Sequence, residues 1–277
     1  MIRFTRAGAI PRDHSAPNMV FVHGALGTGD MWKQTIAALQ SRNGPLHAWT
    51  AALPGHGPRP ERISLETSFM EIVQRGLSRL PFAQKTWIVG YSMGARLALG
   101  MLLTAPERFF GAVLTGVNPG IENDTLRTER ALADEQLSND LRNGGIEKFV
   151  ATWESNPIFA SQRRLCEVVQ HGQRTVRVSH DASALADALC ALSVGRQPEL
   201  WSKLSRLCLP VLAVSGNLDS KFADIGRRMA ALSPQIQAVE VPCAGHNAVL
   251  EQNEKFVELV GSFIARGAPE TDAQKTR

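Results

Sequence analysis

The chain has 277 residues, 44% hydrophobic and 20% charged, which is enough for one sizeable core and ordinary for a globular protein. Its net charge of +4 comes from Lys and Arg scattered along the chain, without a basic run, so a nucleic-acid partner is not expected. No apolar run reaches the ~18 residues needed for a membrane span and no basic-then-apolar leader opens the sequence, which predicts no membrane partner and a cytoplasmic location.

In chain order, the first strand signal is Val20-Phe21-Val22, running into the tight turn His23-Gly24-Ala25. Leu53-Pro54-Gly55-His56-Gly57 is a second, Pro/Gly-rich turn. The apolar run Trp87-Ile88-Val89 then predicts a strand that enters Gly90-Tyr91-Ser92-Met93-Gly94, with a helical stretch from Arg96 to Thr104 behind it. This G-x-S-x-G spacing places a serine on a sharp strand-to-helix turn. Such a turn needs strained backbone angles, so its neighbours must be small. It lifts the hydroxyl clear of the sheet, while the helix N-terminus offers amides to a developing anion.

From about 121 to 197 the pattern is helical and lacks strand signals; Asp124 to Arg142 and Ile146 to Glu154 are charged stretches with helical periodicity. Strand signals resume at Val211-Leu212-Ala213-Val214, followed by Asn217-Leu218-Asp219, and at Ala238-Val239-Glu240-Val241, followed by Gly245-His246. Strands alternate with amphipathic helices over Met19 to Val117 and Leu209 to Ala265, implying a mostly parallel sheet flanked by helices. The expected organisation is an α/β-hydrolase fold. Residues 1–120 and 198–266 would form the core, 121–197 an inserted helical lid, and 267–277 a flexible tail.

Ser92, Asp219 and His246 follow three different strands in the order nucleophile, acid, histidine, which points to a catalytic triad. The amides of Ala25 and Met93 would form the oxyanion hole. Asp224 is the rival acid, but it falls later, on a helix. His23 is read as an anchor for the oxyanion turn and His56 as turn architecture; His14, His47, His171 and His180 have no constellation around them. The four cysteines are scattered, with no CxxC pair, and are expected to be buried thiols rather than disulfides or metal ligands.

Arg96 comes one helical turn after Ser92, so it can share the face of the nucleophile. A guanidinium there needs a buried structural partner or an anionic ligand. Both readings stand at this point.

Together these residues resemble the 2-succinyl-6-hydroxy-2,4-cyclohexadiene-1-carboxylate synthases of menaquinone biosynthesis. The resemblance runs through Val22 to Gly27 with Trp32, Leu53 to Gly57, and Gly90 to Leu99. It continues through Arg130 with Asp134, Phe149 to Trp153 with Pro157-Ile158-Phe159, Gln197 to Trp201, Gly216 to Phe222, and Gly245-His246-Asn247. The diagnostic elements are the elbow arginine, the Trp-x-x-x-Pro-x-Phe of the lid and the Asp-Ser-Lys-Phe after the acid. Ala95 stands where that family usually has a second glycine.

The resemblance implies a lyase that eliminates pyruvate from a small polycarboxylate with no metal or cofactor. Arg96, Arg130 and Arg177 would hold substrate carboxylates, with Tyr91 and Trp153 lining the pocket. Two alternatives remain: a hydrolase using water on an anionic ester or carbon–carbon bond, and a pseudo-enzyme that keeps the pocket for binding. Oligomeric state is not legible.

Overall fold

Residues such as Met19 to Val22 and Trp87 to Tyr91 show no polar alternation because helices cover both faces of their strands. In the computed structural model, which describes residues 2–267, they belong to a seven-stranded sheet of order β1-β3-β2-β4-β5-β6-β7. The strands are β1 (Arg3–Ala7), β2 (Asn18–Val22), β3 (His47–Ala52), β4 (Thr86–Tyr91), β5 (Phe109–Thr115), β6 (Val211–Gly216) and β7 (Ile236–Val241). All pairings are parallel except that of β1, which runs antiparallel on β3. β1 lies outside the predicted alternation. Its Arg3 and Arg6 break the apolar signature, and charges of this kind blunt an exposed sheet edge.

One face of the sheet packs on α1 (Lys33–Asn43), the short α9 (Ala248–Glu251) and α10 (Asn253–Gly267) through a cluster that includes Trp32, Val249 and Phe256. The other packs on α2 (Phe69–Leu77), α3 (Met93–Thr104) and α8 (Ser220–Leu232). Because the central strands are parallel, the turns after β2, β4, β5, β6 and β7 all leave the same edge, where such sheets place their sites.

Between β5 and β6 lie α4 (Asp124–Gly144), α5 (Ile146–Ser155), a short 3-10 helix (157–164), α6 (Glu167–Val178) and α7 (Ala182–Ala191). The helix α4 starts where Asn123 accepts a hydrogen bond from the Leu126 amide, and it stops at Gly145, whose φ is 78°. The tail expected at 267–277 lies, beyond Gly267, outside the described residues.

The cysteine expectation fails in part. Cys190 is buried in α7, but Cys166, Cys208 and Cys243 are exposed because they fall in turns rather than on core-facing strands.

The approach of β4 and α3 to β2 tolerates no side chain at two elbow positions. A Cβ on Gly90 would sit 2.6 Å from the Ala95 Cα, and one on Gly94 would collide with the Val22 carbonyl oxygen. Both obstacles are backbone and cannot swing aside. Gly94→Ala is therefore expected to cost about 2 kcal/mol or more in chemical denaturation. An unchanged midpoint would contradict this packing.

Candidate active site

The turn from β4 into α3 forces Ser92 to φ 51° and ψ −112°, a conformation that L residues rarely adopt and that costs of order 1–3 kcal/mol. It is held from both sides. The Ser92 amide donates to the Thr115 carbonyl at 2.8 Å, and the Ser92 carbonyl accepts from the Arg96 amide at 3.1 Å.

Asp219 caps α8 directly after β6, and His246 follows β7. The His246 Nδ1–H donates to Asp219 Oδ2 at 2.8 Å, which leaves Nε2 to accept from the Ser92 hydroxyl at 3.1 Å. The imidazole is 4% exposed and lies against Phe222, with ring centroids 4.5 Å apart, and against Tyr91 at 5.5 Å. Burial raises the Tyr91 phenol, so it stays protonated. Asp224, the rival acid, is exposed and bonded to Arg227.

Glu251 was not legible as a site residue. Its carboxylate accepts from the Gly245 amide at 2.7 Å and the Asn247 amide at 3.3 Å, bracketing His246. A glutamate five residues after a histidine carries no sequence signal.

Ala25 and Met93 line the same cavity as Ser92, and among the described residues neither amide donates to a protein acceptor. Met93 is the first residue of α3, so its amide is one of the unpaired donors at a helix start.

The oxyanion turn rests on histidines. His23 donates from Nδ1 to the Gly24 carbonyl at 2.8 Å and accepts the Leu53 amide at Nε2 at 3.2 Å. Its ring meets that of His56 (centroids 5.1 Å apart), which meets that of His180 (5.6 Å). His180, from the turn between α6 and α7, accepts the Gly57 amide at 2.7 Å. The expectation that His180 has no constellation is thus corrected, since it ties the insertion to the core across 123 residues of sequence. Burial lowers all three: His23 falls to about 4, His56 well below its ordinary value, and His180 also downward.

The cavity in front of Ser92 measures about 760 Å³, within the usual range for small-molecule sites. Guanidiniums wall it. Arg96 is 8% exposed; it donates to Gln197 Oε1 at 2.8 Å and to the Leu192 carbonyl, and among the described residues no carboxylate pairs with it. Burial, helped by nearby Arg130 and opposed by Asp134, pulls it down to about 10, so it remains a cation at neutral pH.

Arg130, from α4, is held at Nε by both oxygens of Asp134, each at 2.9 Å, and among the described residues its Nη end is unpaired. Arg177, from α6, donates to Glu154 at 3.0 Å and to Gln162 at 3.1 Å. Trp153 stacks on Phe149 along the same wall. Asn118 and Gln197, the latter quoted only as part of a family motif, also reach this region. Among the described residues no group of His, Cys, Asp and Glu is arranged to hold a metal, and no helix is long and apolar enough to cross a membrane.

A family model described as the alpha/beta hydrolase family matches residues 19–259. A Yersinia enterocolitica protein named 2-succinyl-6-hydroxy-2,4-cyclohexadiene-1-carboxylate synthase is 30% identical over 264 residues, covering 93% of this chain and 90% of the relative. A Bacillus subtilis protein carrying that synthase's name is 37% identical over 180 residues, and the match spans 65% of this chain and 66% of the relative. The solved structure of MenH from S. aureus matches with a TM-score of 0.88 and 28% identity, over 97% of this chain and 99% of that one.

The edge-to-face histidine cluster makes stability depend on pH. The folded state holds the three rings neutral, below their ordinary value of 6.5, while the unfolded chain protonates them. Their contribution is therefore complete above about pH 6.5 and is lost as pH falls toward 4. The melting temperature should fall steadily between pH 7 and pH 5, and His56→Asn should flatten that slope. A melting temperature constant over this range would contradict the neutral cluster.

Proposed function

The chain belongs to the alpha/beta hydrolase family and, within it, to the 2-succinyl-6-hydroxy-2,4-cyclohexadiene-1-carboxylate synthases, and from this we propose that it is a carbon–oxygen lyase of menaquinone biosynthesis. Its substrate would be 2-succinyl-5-enolpyruvyl-6-hydroxy-3-cyclohexene-1-carboxylate, from which it eliminates pyruvate. The observation that carries this reading is the cavity wall. Among the described residues, Arg96, buried one turn from Ser92, has no carboxylate partner and Arg130 has its Nη end unpaired, and both line the space in front of the hydroxyl. Guanidiniums bind planar carboxylates bidentately, and a hydrolase of neutral esters gains nothing from them.

In this mechanism Ser92 acts as a base rather than as an acyl-accepting nucleophile. Its hydroxyl proton passes to His246 Nε2 as the oxygen removes the ring proton beside the succinyl carbonyl. Asp219 keeps Nδ1 protonated and stabilises the imidazolium that forms. Charge moves onto the carbonyl oxygen, which accepts hydrogen bonds from the Ala25 and Met93 amides. Collapse of this enolate forms the conjugated diene and breaks the carbon–oxygen bond. The expelled enolpyruvate takes up a proton and becomes pyruvate. The balance needs no redox partner or water. Proton transfer and oxyanion stabilisation each supply on the order of 10²-fold or more, and the arginines act by positioning.

The test supplies the precursor in situ from the preceding pathway enzyme and follows pyruvate release with diene absorbance. Ser92→Ala should lower kcat on the order of 10³-fold, whereas Arg130→Met should raise KM about tenfold with a smaller change in kcat. Well-folded protein that gives no acceleration over the spontaneous reaction, but rapid saturable hydrolysis of p-nitrophenyl butyrate lost in Ser92→Ala, would establish the hydrolase alternative instead.

A further inference from the structure

The cations that line the cavity differ in what already holds them. Arg177 has both of its Nη nitrogens engaged, by Glu154 and Gln162, and its guanidinium lies 5.7 Å from the Phe159 ring centroid. Glu154 also pairs with Arg174 at 2.6 Å, so this cluster is a strut within the insertion, joining α5, α6 and the segment between them. Arg130 is paired at one edge by Asp134. Lys221 is different. It lines the cavity, and among the described residues no carboxylate lies within ion-pair distance of its ammonium.

Its position makes a structural role unfavourable. Lys221 is the second residue of α8, in the first turn, where the unpaired amides and the helix dipole repel a positive charge. A lysine there contributes nothing to the helix. What it does have is proximity to the reacting end of the cavity: its Nζ lies 5.9 Å from the centroid of Phe222, whose ring packs on His246.

We infer that Lys221 is a specificity-determining residue, an unpaired ammonium that binds a substrate carboxylate on the His246 side of the cavity. It adds a carboxylate contact that Arg177, with both Nη nitrogens already engaged by Glu154 and Gln162, is less free to make. This inference rests on the polycarboxylate substrate proposed above. Arg96, Arg130 and Lys221 then come from α3, α4 and α8, so that the substrate is gripped by both halves of the core and by the insertion.

The experiment compares wild type, Lys221→Met, Lys221→Arg and, as a control, Lys203→Met, which removes an exposed lysine outside the cavity. With the enolpyruvyl precursor, Lys221→Met should raise KM about tenfold with kcat nearly unchanged, and Lys221→Arg should restore most of it. The fall of kcat/KM with added salt should be shallower in Lys221→Met. Lys203→Met should match wild type. Equal KM values in wild type and Lys221→Met, or a loss confined to kcat with a shifted pH profile, would overturn the inference and leave Lys221 a modulator of Asp219. If wild type does not turn the precursor over, the lyase reading falls and Lys221 is judged by calorimetric binding of citrate as a tricarboxylate probe. Weaker binding in Lys221→Met then supports it; equal or undetectable binding to both overturns it.

Discussion

The structure depends on one backbone constraint, the strained turn that carries Ser92. A residue at φ 51° and ψ −112° is tolerated only because β4 and α3 are fixed independently of it. β4 is buried on both faces, and every residue of α3 from Met93 to Leu102 is buried. Packing of that extent offsets a strain of order 1–3 kcal/mol many times over. The same close approach forces glycine at 90 and 94, puts the start of α3 behind the hydroxyl, and sets the Met93 amide beside it. Ser92, the candidate oxyanion donor and Arg96 therefore follow from a single local geometry.

The parallel sheet supplies the rest. Adjacent strands that point the same way deliver Asp219 and His246 to the edge where Ser92 stands, although 154 residues separate Ser92 from His246. The order was legible because Ser92 and Asp219 follow apolar runs and His246 follows β7, apolar but for Gln237 and Glu240. The helices α4 and α5 were legible to within two residues, since charged surface helices keep a clear 3.6-residue period. Fold class and the positions of Ser92, Asp219 and His246 thus came from patterns that burial itself imposes.

What escaped the sequence was contact between distant polar side chains. Nothing in the spacing says that His180 meets His56 edge-on, that Glu251 brackets His246, or that Glu154 occupies Arg177. These are pairings of residues with no periodic signature, decided by which turns meet in space. β1 escaped for a related reason: it is a half-exposed edge strand, stabilised by its ladder to β3 rather than by an apolar pattern. Composition also misled for the cysteines, because a residue type that is usually buried is not buried when it sits in a turn.

The arginines raise an energetic question that the packing answers. Arg96 is a buried cation that donates to an amide oxygen and a backbone carbonyl, with Asp134 favouring its charge and Arg130 close enough to lower its proton affinity. Uncompensated, that arrangement is costly. The segment after α7 keeps it in place: Leu192 and Gln197 hold Arg96, while Ser193, 2.6 Å from Asp134, steadies the carboxylate that orients Arg130. One short stretch of chain therefore positions a guanidinium from the core and another from the insertion, against their mutual repulsion. A polyanion bound there would relieve that repulsion as well as gaining its own hydrogen bonds, whereas a neutral ligand would gain the hydrogen bonds alone. On the function proposed above, a preference for anionic ligands is in this sense built into the fold, as electrostatic stress that folding has already met.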